Sequence, residues 1–159
     1  MKFKADVVLV EPEIPQNTGN IARTCAALGC PLHLIEPLGF SLDDRYLRRA
    51  GIDYWHLVNV KRYPGIDAFF EANNEGTYFF FSSRATKSFQ TAEFRGMVYL
   101  IFGKESTGLS PVIIEKYTGD CYRLPMRKEV RSINLASAAA VALYEAFRQN
   151  DFPGILSDL

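Results

Sequence analysis

Apolar residues in this chain come in short continuous runs rather than in strict alternation, and each run gives way to a segment of helical or turn character. A continuous β-branched or aromatic run reads as a strand buried on both faces, as in a parallel sheet. The pattern predicts strands over residues 5–10 (A-D-V-V-L-V), 31–35, 57–60, 77–81 (T-Y-F-F-F), 97–102 (M-V-Y-L-I-F) and 121–124. Between them a helix is expected over 20–28, with Ile21, Cys25 and Leu28 on one face and Gly29 as its stop. Residues 11–19 read as a Pro-rich loop in which Gly19 permits a tight turn. A short amphipathic helix is expected over 66–72, and Ser110 followed by Pro111 opens another that runs through Tyr117. Residues 41–55 are charged and aromatic, and the last helix is expected over 135–149. Strands that alternate with helices mean an α/β fold with a mostly parallel sheet flanked by helices. With no internal repeat, low-complexity tract or linker, residues 1–159 read as a single domain. Ligands in such folds bind beyond the carboxyl ends of the strands. That singles out the loops after Val10, Phe81, Phe102 and Leu124.

The chain is organised around residues 124–145, L-P-M-R-K-E-V-R-S-I-N-L-A-S-A-A-A-V-A-L-Y-E. A polar loop follows a short apolar strand and opens an alanine-rich helix that either Ser132 or Asn134 can cap. Ala136, Ala138, Ala139, Ala140 and Ala142 leave the helix thin, so another backbone or a partner subunit can come close. Taken alone, this stretch is also what a buried core helix with a polar entry loop looks like.

Composition narrows the function. Eighteen basic against 18 acidic residues give a formal net charge of +0, which argues against binding nucleic acid by bulk charge but leaves room for a local basic patch. Three cysteines (Cys25, Cys30 and Cys121) and no signal sequence suggest reduced thiols in a cytoplasm. Neither they nor His33 and His56 form a zinc ligand set, so no metal is expected. No apolar run is long enough to span a membrane.

Three stretches carry candidate chemistry. In N-T-G-N-I-A-R, residues 17–23, the guanidinium of Arg23 can hold a phosphate through two parallel N–H bonds, although a lone arginine there is more often a solvated one. In F-G-K-E-S-T-G-L, residues 102–109, Gly103 and Gly108 have the glycine spacing of a phosphate loop. Leu109 and Ser110 stand where that motif needs Lys and Ser/Thr, so that reading fails, and the dinucleotide fingerprint is absent too. A glycine-bracketed turn with one carboxylate, Glu105, remains. The third stretch is the loop with Arg131, Ser132 and Asn134; no His is placed to activate Ser132, which excludes hydrolytic nucleophilic catalysis.

In this order and spacing, the three stretches resemble the motif set of the SPOUT RNA methyltransferases, and more narrowly the TrmL family of tRNA (cytidine/uridine-34) 2′-O-methyltransferases. The resemblance covers nearly the whole chain and includes E-P-E-I-P-Q-N-T-G-N-I-A-R at 11–23 and L-R-R-A-G-I-D-Y-W at 47–55. It implies an α/β fold whose C-terminal chain makes a deep trefoil knot, a feature rare among proteins. It implies S-adenosylmethionine as cofactor and a homodimer formed through the knotted region. The cofactor pocket it implies is lined by Phe81, Ser82, Gly103, Glu105, Leu124, Met126, Ser132, Asn134 and Leu135, with backbone groups at Gly103, Leu124 and Met126 reading the adenine edge. Tyr144 and Phe147 would face the partner or the core.

The implied reaction is methyl transfer to a ribose 2′-hydroxyl, with Arg23, Glu105, Ser132 and Asn134 as catalytic residues. A guanidinium stays protonated, so Arg23 is expected to hold the target phosphate while Ser132 and Asn134 orient the site. Without a separate RNA-binding extension, tRNA is expected to be held by Arg45, Arg48, Arg49, Arg84, Lys87, Arg127, Lys128 and Arg131, with Tyr54 or Trp55 free to stack a base. Action on another RNA position, a non-catalytic RNA-binding module of the same fold and a flavodoxin-like nucleotide binder are the competing readings.

Overall fold

The computed structural model describes residues 2–51 and 54–158. Its strands are β1 (Lys4–Val10), β2 (Leu32–Ile35), β3 (Val60–Tyr63), β4 (Thr77–Phe81), β5 (Lys87–Ser88), β6 (Met97–Phe102) and β7 (Cys121–Arg123). Its α-helices are α1 (Pro15–Leu28), α2 (Arg45–Gly51), α3 (Ile66–Ala72), α4 (Pro111–Lys116) and α5 (Leu135–Arg148). The strands form one sheet in the order β3-β2-β1-β6-β4-β7-β5, every pair parallel. Val7 of β1 lies opposite Leu32 on one side and Leu100 on the other, which fixes the register at the centre.

Alternate residues of the central strands serve two layers. Val7 and Leu9 pack with Ile21, Ala22 and Cys25 of α1 and with Ala139, Ala142 and Leu143 of α5. Val8 and Val10 pack with Phe69 of α3 and, through Leu109 and Cys121, with the apolar side of α4 at Ile113 and Ile114. Burial on both faces is why these strands are continuous apolar runs. Burial also pushes the Cys25 thiol well above its ordinary value and the Cys30 thiol up to about 12, with the charge of Asp6 adding to the second. On the α3 side His33 is fully buried, its Nε2 2.8 Å from Asp6 Oδ2 and its Nδ1 3.0 Å from the Tyr63 hydroxyl.

Several expectations needed correction. The first helix begins at Pro15, not at residue 20, so Gly19 is a buried position inside α1 rather than a turn. The third strand is Val60–Tyr63; the apolar run before it is occupied by a single 3₁₀ turn, Trp55–Leu57. Strand β5 and helix α2 lay outside the predicted elements. A two-residue strand has no hydrophobic pattern of its own, and β5 exists only because β7 pairs with it. Of the 47–55 stretch, Ile52 and Asp53 lie outside the described residues. Among the described residues no helix is long and apolar enough to cross a membrane.

Candidate active site

Strand order reverses between β1 and β6: the chain leaves β1 for β2 on one side and β6 for β7 on the other. Helices α1 and α4 follow these two strands on opposite faces of the sheet, which opens a crevice at their carboxyl ends. A cavity of about 420 Å³ occupies that edge. On its sheet side the rings of Phe81 and Phe102 stack 4.8 Å apart and within 11° of parallel. The turn after β6 forms one wall, and the 131–135 loop before α5 forms the opposite wall.

The glycines after β6 are dictated by the backbone. A Cβ on Gly103 would collide with the backbone of Gly108 and Leu109. Gly108 has φ +69°, a conformation other residues rarely adopt, and its N–H closes the turn onto the Lys104 carbonyl at 2.8 Å. Arg84 straps the turn from outside, donating from Nη2 to the carbonyls of Thr107 at 3.0 Å and Leu109 at 2.8 Å.

One hydrogen-bonded chain joins all three candidate stretches. Helix α1 starts at a proline, and Ile14 at its N-cap has no side chain that can cap it. The cap comes from the turn after β6: Glu105 accepts from the N–H groups of Glu13 at 2.8 Å and Ile14 at 3.0 Å. A carboxylate at a helix N-terminus meets unpaired N–H groups and the positive end of the dipole. The same carboxylate accepts from Asn17 Nδ2 at 3.4 Å, and Asn17 Oδ1 accepts from Asn134 Nδ2 at 3.1 Å. Asn134 Oδ1 then accepts from Ser137 N–H at 3.2 Å, so Asn134, not Ser132, caps α5.

All nine residues expected to hold a cofactor line this cavity: Phe81, Ser82, Gly103, Glu105, Leu124, Met126, Ser132, Asn134 and Leu135. Glu105 does so with its carboxylate turned onto α1, which makes it a structural tie as well as a wall. Ser132 is exposed at the cavity rim. Burial, and secondarily Asp120, push the Cys121 thiol and the Tyr122 phenol of β7 upward; neither lines the cavity. Asn17 is 7% exposed and was not among the expected site residues.

Arg23 does not line the cavity. It is exposed on α1 with its guanidinium 4.8 Å from the centre of the Tyr54 ring, so one face of Tyr54 is already covered. Trp55 packs partly against the core. Two of the expected RNA contacts are internal ties: Arg84 holds the turn, and Lys87 donates to the Gly119 carbonyl at 2.5 Å while lying over Tyr122. Arg48 pairs with Asp43 at 2.9 Å and Arg45 leans on Tyr46, both in the open. Arg49, Arg127, Lys128 and Arg131 are exposed without an ion pair among the described residues, and Arg131 also lines the cavity.

Residues 4–144 match the SpoU rRNA methylase family. The chain is 47% identical over 150 residues to the tRNA (cytidine(34)-2′-O)-methyltransferase of Saccharophagus degradans, covering 94% of this chain and 97% of that protein. Its identity to the tRNA (cytidine(34)-2′-O)-methyltransferase of Escherichia coli is 43% over 150 residues, covering 94% and 96%. A solved structure concerned with 2-OH methylation of C/U34 on tRNA matches with TM-score 0.89 at 47% identity, covering 94% of this chain and 97% of the other. The AdoMet-bound rRNA methyltransferase of Sinorhizobium meliloti shares the fold at TM-score 0.83 and 24% identity, covering 93% and 57%.

Proposed function

This chain belongs to the SpoU rRNA methylase family, and from that premise we propose that it methylates the ribose 2′-hydroxyl of tRNA nucleotide 34, cytidine or uridine, with S-adenosylmethionine as donor. The observation that carries the proposal is the cavity walled by the turn after β6 and the loop before α5, with Glu105, Asn17 and Asn134 bonded in that order beside it. The fit to the cofactor is chemical as well as spatial. Stacked Phe81 and Phe102, with Leu124, Met126 and Leu135, offer an apolar slot for a flat base. When bound, S-adenosylmethionine supplies a methyl already activated on a sulfonium. What the protein must add is position.

Glu105, Asn17 and Asn134 hold the two walls and the start of α1 at fixed separation. Ser132 and Arg131 stand at the rim, where the incoming ribose and its phosphate arrive. Arg23 holds a phosphate of the target; because it lies outside the cavity of its own chain, it serves the cavity of a second copy. The homodimer this requires forms through α5, where Val141 and Tyr144 are 47% and 46% exposed on the outer side while Phe147 is buried in the core. The basic groups of α2 and of the 127–131 loop bind tRNA across that dimer in the cytoplasm. The C-terminal chain is knotted. Strand β7 pairs with β4, away from the centre, yet α5 packs on β1, β6 and α1, so the chain crosses back over the sheet edge after β7.

Incubation with labelled S-adenosylmethionine and total tRNA, followed by mapping of the methylated nucleotide, tests the reading. Label at the 2′-oxygen of nucleotide 34 is expected. Cofactor binding with no label in any tRNA would refute it.

A further inference from the structure

Residue 14 breaks a local rule. It is the N-cap of α1, a position that favours Ser, Thr, Asp or Asn, and it is filled by an isoleucine whose side chain caps nothing. Its place before Pro15 explains the extended backbone, φ −106° and ψ 111°, and a β-branched residue suits that backbone. Threonine would meet both demands at once. Isoleucine instead leaves the cap to Glu105, 91 residues away. Packing does not account for it either: the side chain is 42% exposed and belongs to neither core layer. A departure from local preference with no gain in packing marks a functional position.

Ile14 lines the methyl donor's cavity. The other large apolar residues there, Phe81, Phe102, Leu124, Met126, Ile133 and Leu135, are buried or half-buried. Among the described lining residues, Ile14 is therefore the large apolar group exposed at the mouth. Its neighbours at the mouth are polar and exposed: Arg131, Ser132 and Asn134 on one wall, Ser106 and Thr107 on the other. The start of α1 is tied to both walls. The Ile14 N–H donates to Glu105 of the turn at 3.0 Å, and Asn17 Oδ1 accepts from Asn134 of the opposite loop at 3.1 Å. Ile14 thus stands between the turn and the loop that carries Ser132.

We propose that Ile14 is the apolar rest on which the pyrimidine base of the target nucleotide lies during methyl transfer. The inference rests on the activity proposed above. With the ribose at Arg131 and Ser132, the base needs a surface for its flat face, and Ile14 supplies the apolar one at the mouth. Such a contact takes water off the base and steadies the attached ribose toward the methyl donor. It does not touch the edge groups by which cytosine and uracil differ, so it admits either pyrimidine.

The test compares wild type with Ile14→Thr and Ile14→Val. The two variants have the same shape and keep the β-branch, but only threonine carries a hydroxyl, which can also cap α1. Ile14→Thr should lower kcat/KM for the mapped tRNA substrate at least about tenfold, whereas Ile14→Val, one methylene short, should lose about fourfold at most. Transcripts with cytidine or uridine at the target should lose equally, because the contact is to the face of the base. Melting temperature should be no lower in Ile14→Thr than in Ile14→Val, and affinity for S-adenosylmethionine, measured by calorimetry, should stay unchanged in both. Activity lost without stability is a signature that a merely structural role would not produce. If Ile14→Thr fails to fold, Ile14→Ala takes its place with the same loss expected. Wild-type kcat/KM in the variant, a changed cytidine-to-uridine ratio, or cofactor affinity that falls in step with activity would overturn the contact while leaving the activity standing. Wild type that binds the cofactor and methylates neither transcript refutes the activity, and the contact with it.

Discussion

Glu105→Gln separates a carboxylate that caps a distant helix from one that merely lines a cavity. In the wild type the carboxylate accepts from two backbone N–H groups, of Glu13 at 2.8 Å and Ile14 at 3.0 Å, and the helix they precede has no cap of its own. Glutamine has the same shape but one acceptor oxygen. Its NH₂ group must face one of the two backbone donors, so one charge-assisted bond is lost. Such a bond contributes about 1.5–3 kcal/mol, and the lost charge at the helix N-terminus about 0.3–1 kcal/mol more. The Ile14 bond is exposed and the Glu13 bond half-buried, which places the sum toward the lower end, at about 2 kcal/mol. With a urea slope of about 2 kcal/mol per molar, the unfolding midpoint should fall by about 1 M. The assay is urea unfolding followed by circular dichroism, with Ser106→Ala as a neighbouring control; Ser106 touches Glu13 rather than the helix N–H groups. A Glu105→Gln midpoint within about 0.2 M of wild type would show that Glu105 is not the cap of α1.

Three other outcomes follow from the same structure. Arg23→Lys should keep cofactor affinity yet lower methyl transfer at least about tenfold, because an ammonium cannot make the two parallel bonds of a guanidinium to phosphate; equal turnover on the same tRNA would remove the phosphate role. Stability should decline from about pH 9 to about pH 12. Cys30 and Tyr99 are each held protonated up to about 12 by burial, with Asp6 adding to both, so the unfolded chain releases these protons first and gains in that window; a flat melting temperature from pH 9 upward would contradict it. Tyr144→Asp places a charge on the exposed face of α5 and should shift the protein toward monomer in sedimentation equilibrium, whereas an unchanged mass would exclude that face as the interface.

Hydrophobic pattern alone was enough for the layer architecture. A continuous apolar run as short and β-prone as 97–102 fits a strand buried on both sides, and the parallel sheet follows from the alternation of such runs with helices. Capping chemistry was equally local: Ser110 accepts from Ile113 N–H, and Asn134 opens α5. These features were legible because their causes lie within a few residues of one another. The start of α1 was not, because its cap is Glu105, 92 residues from Glu13. Neither was β5, which has no stability apart from β7. Arg23 was expected to hold a target phosphate and Arg84 and Lys87 to contact RNA, but only packing reveals that the first leans onto Tyr54 outside its own cavity and that the other two tie down backbone carbonyls. Sequence determined which side chains were available at each strand end. Tertiary structure decided which of them met, since the bond from Asn17 to Asn134 spans 117 positions and forms only when the core brings α1 and α5 to the same side of the sheet.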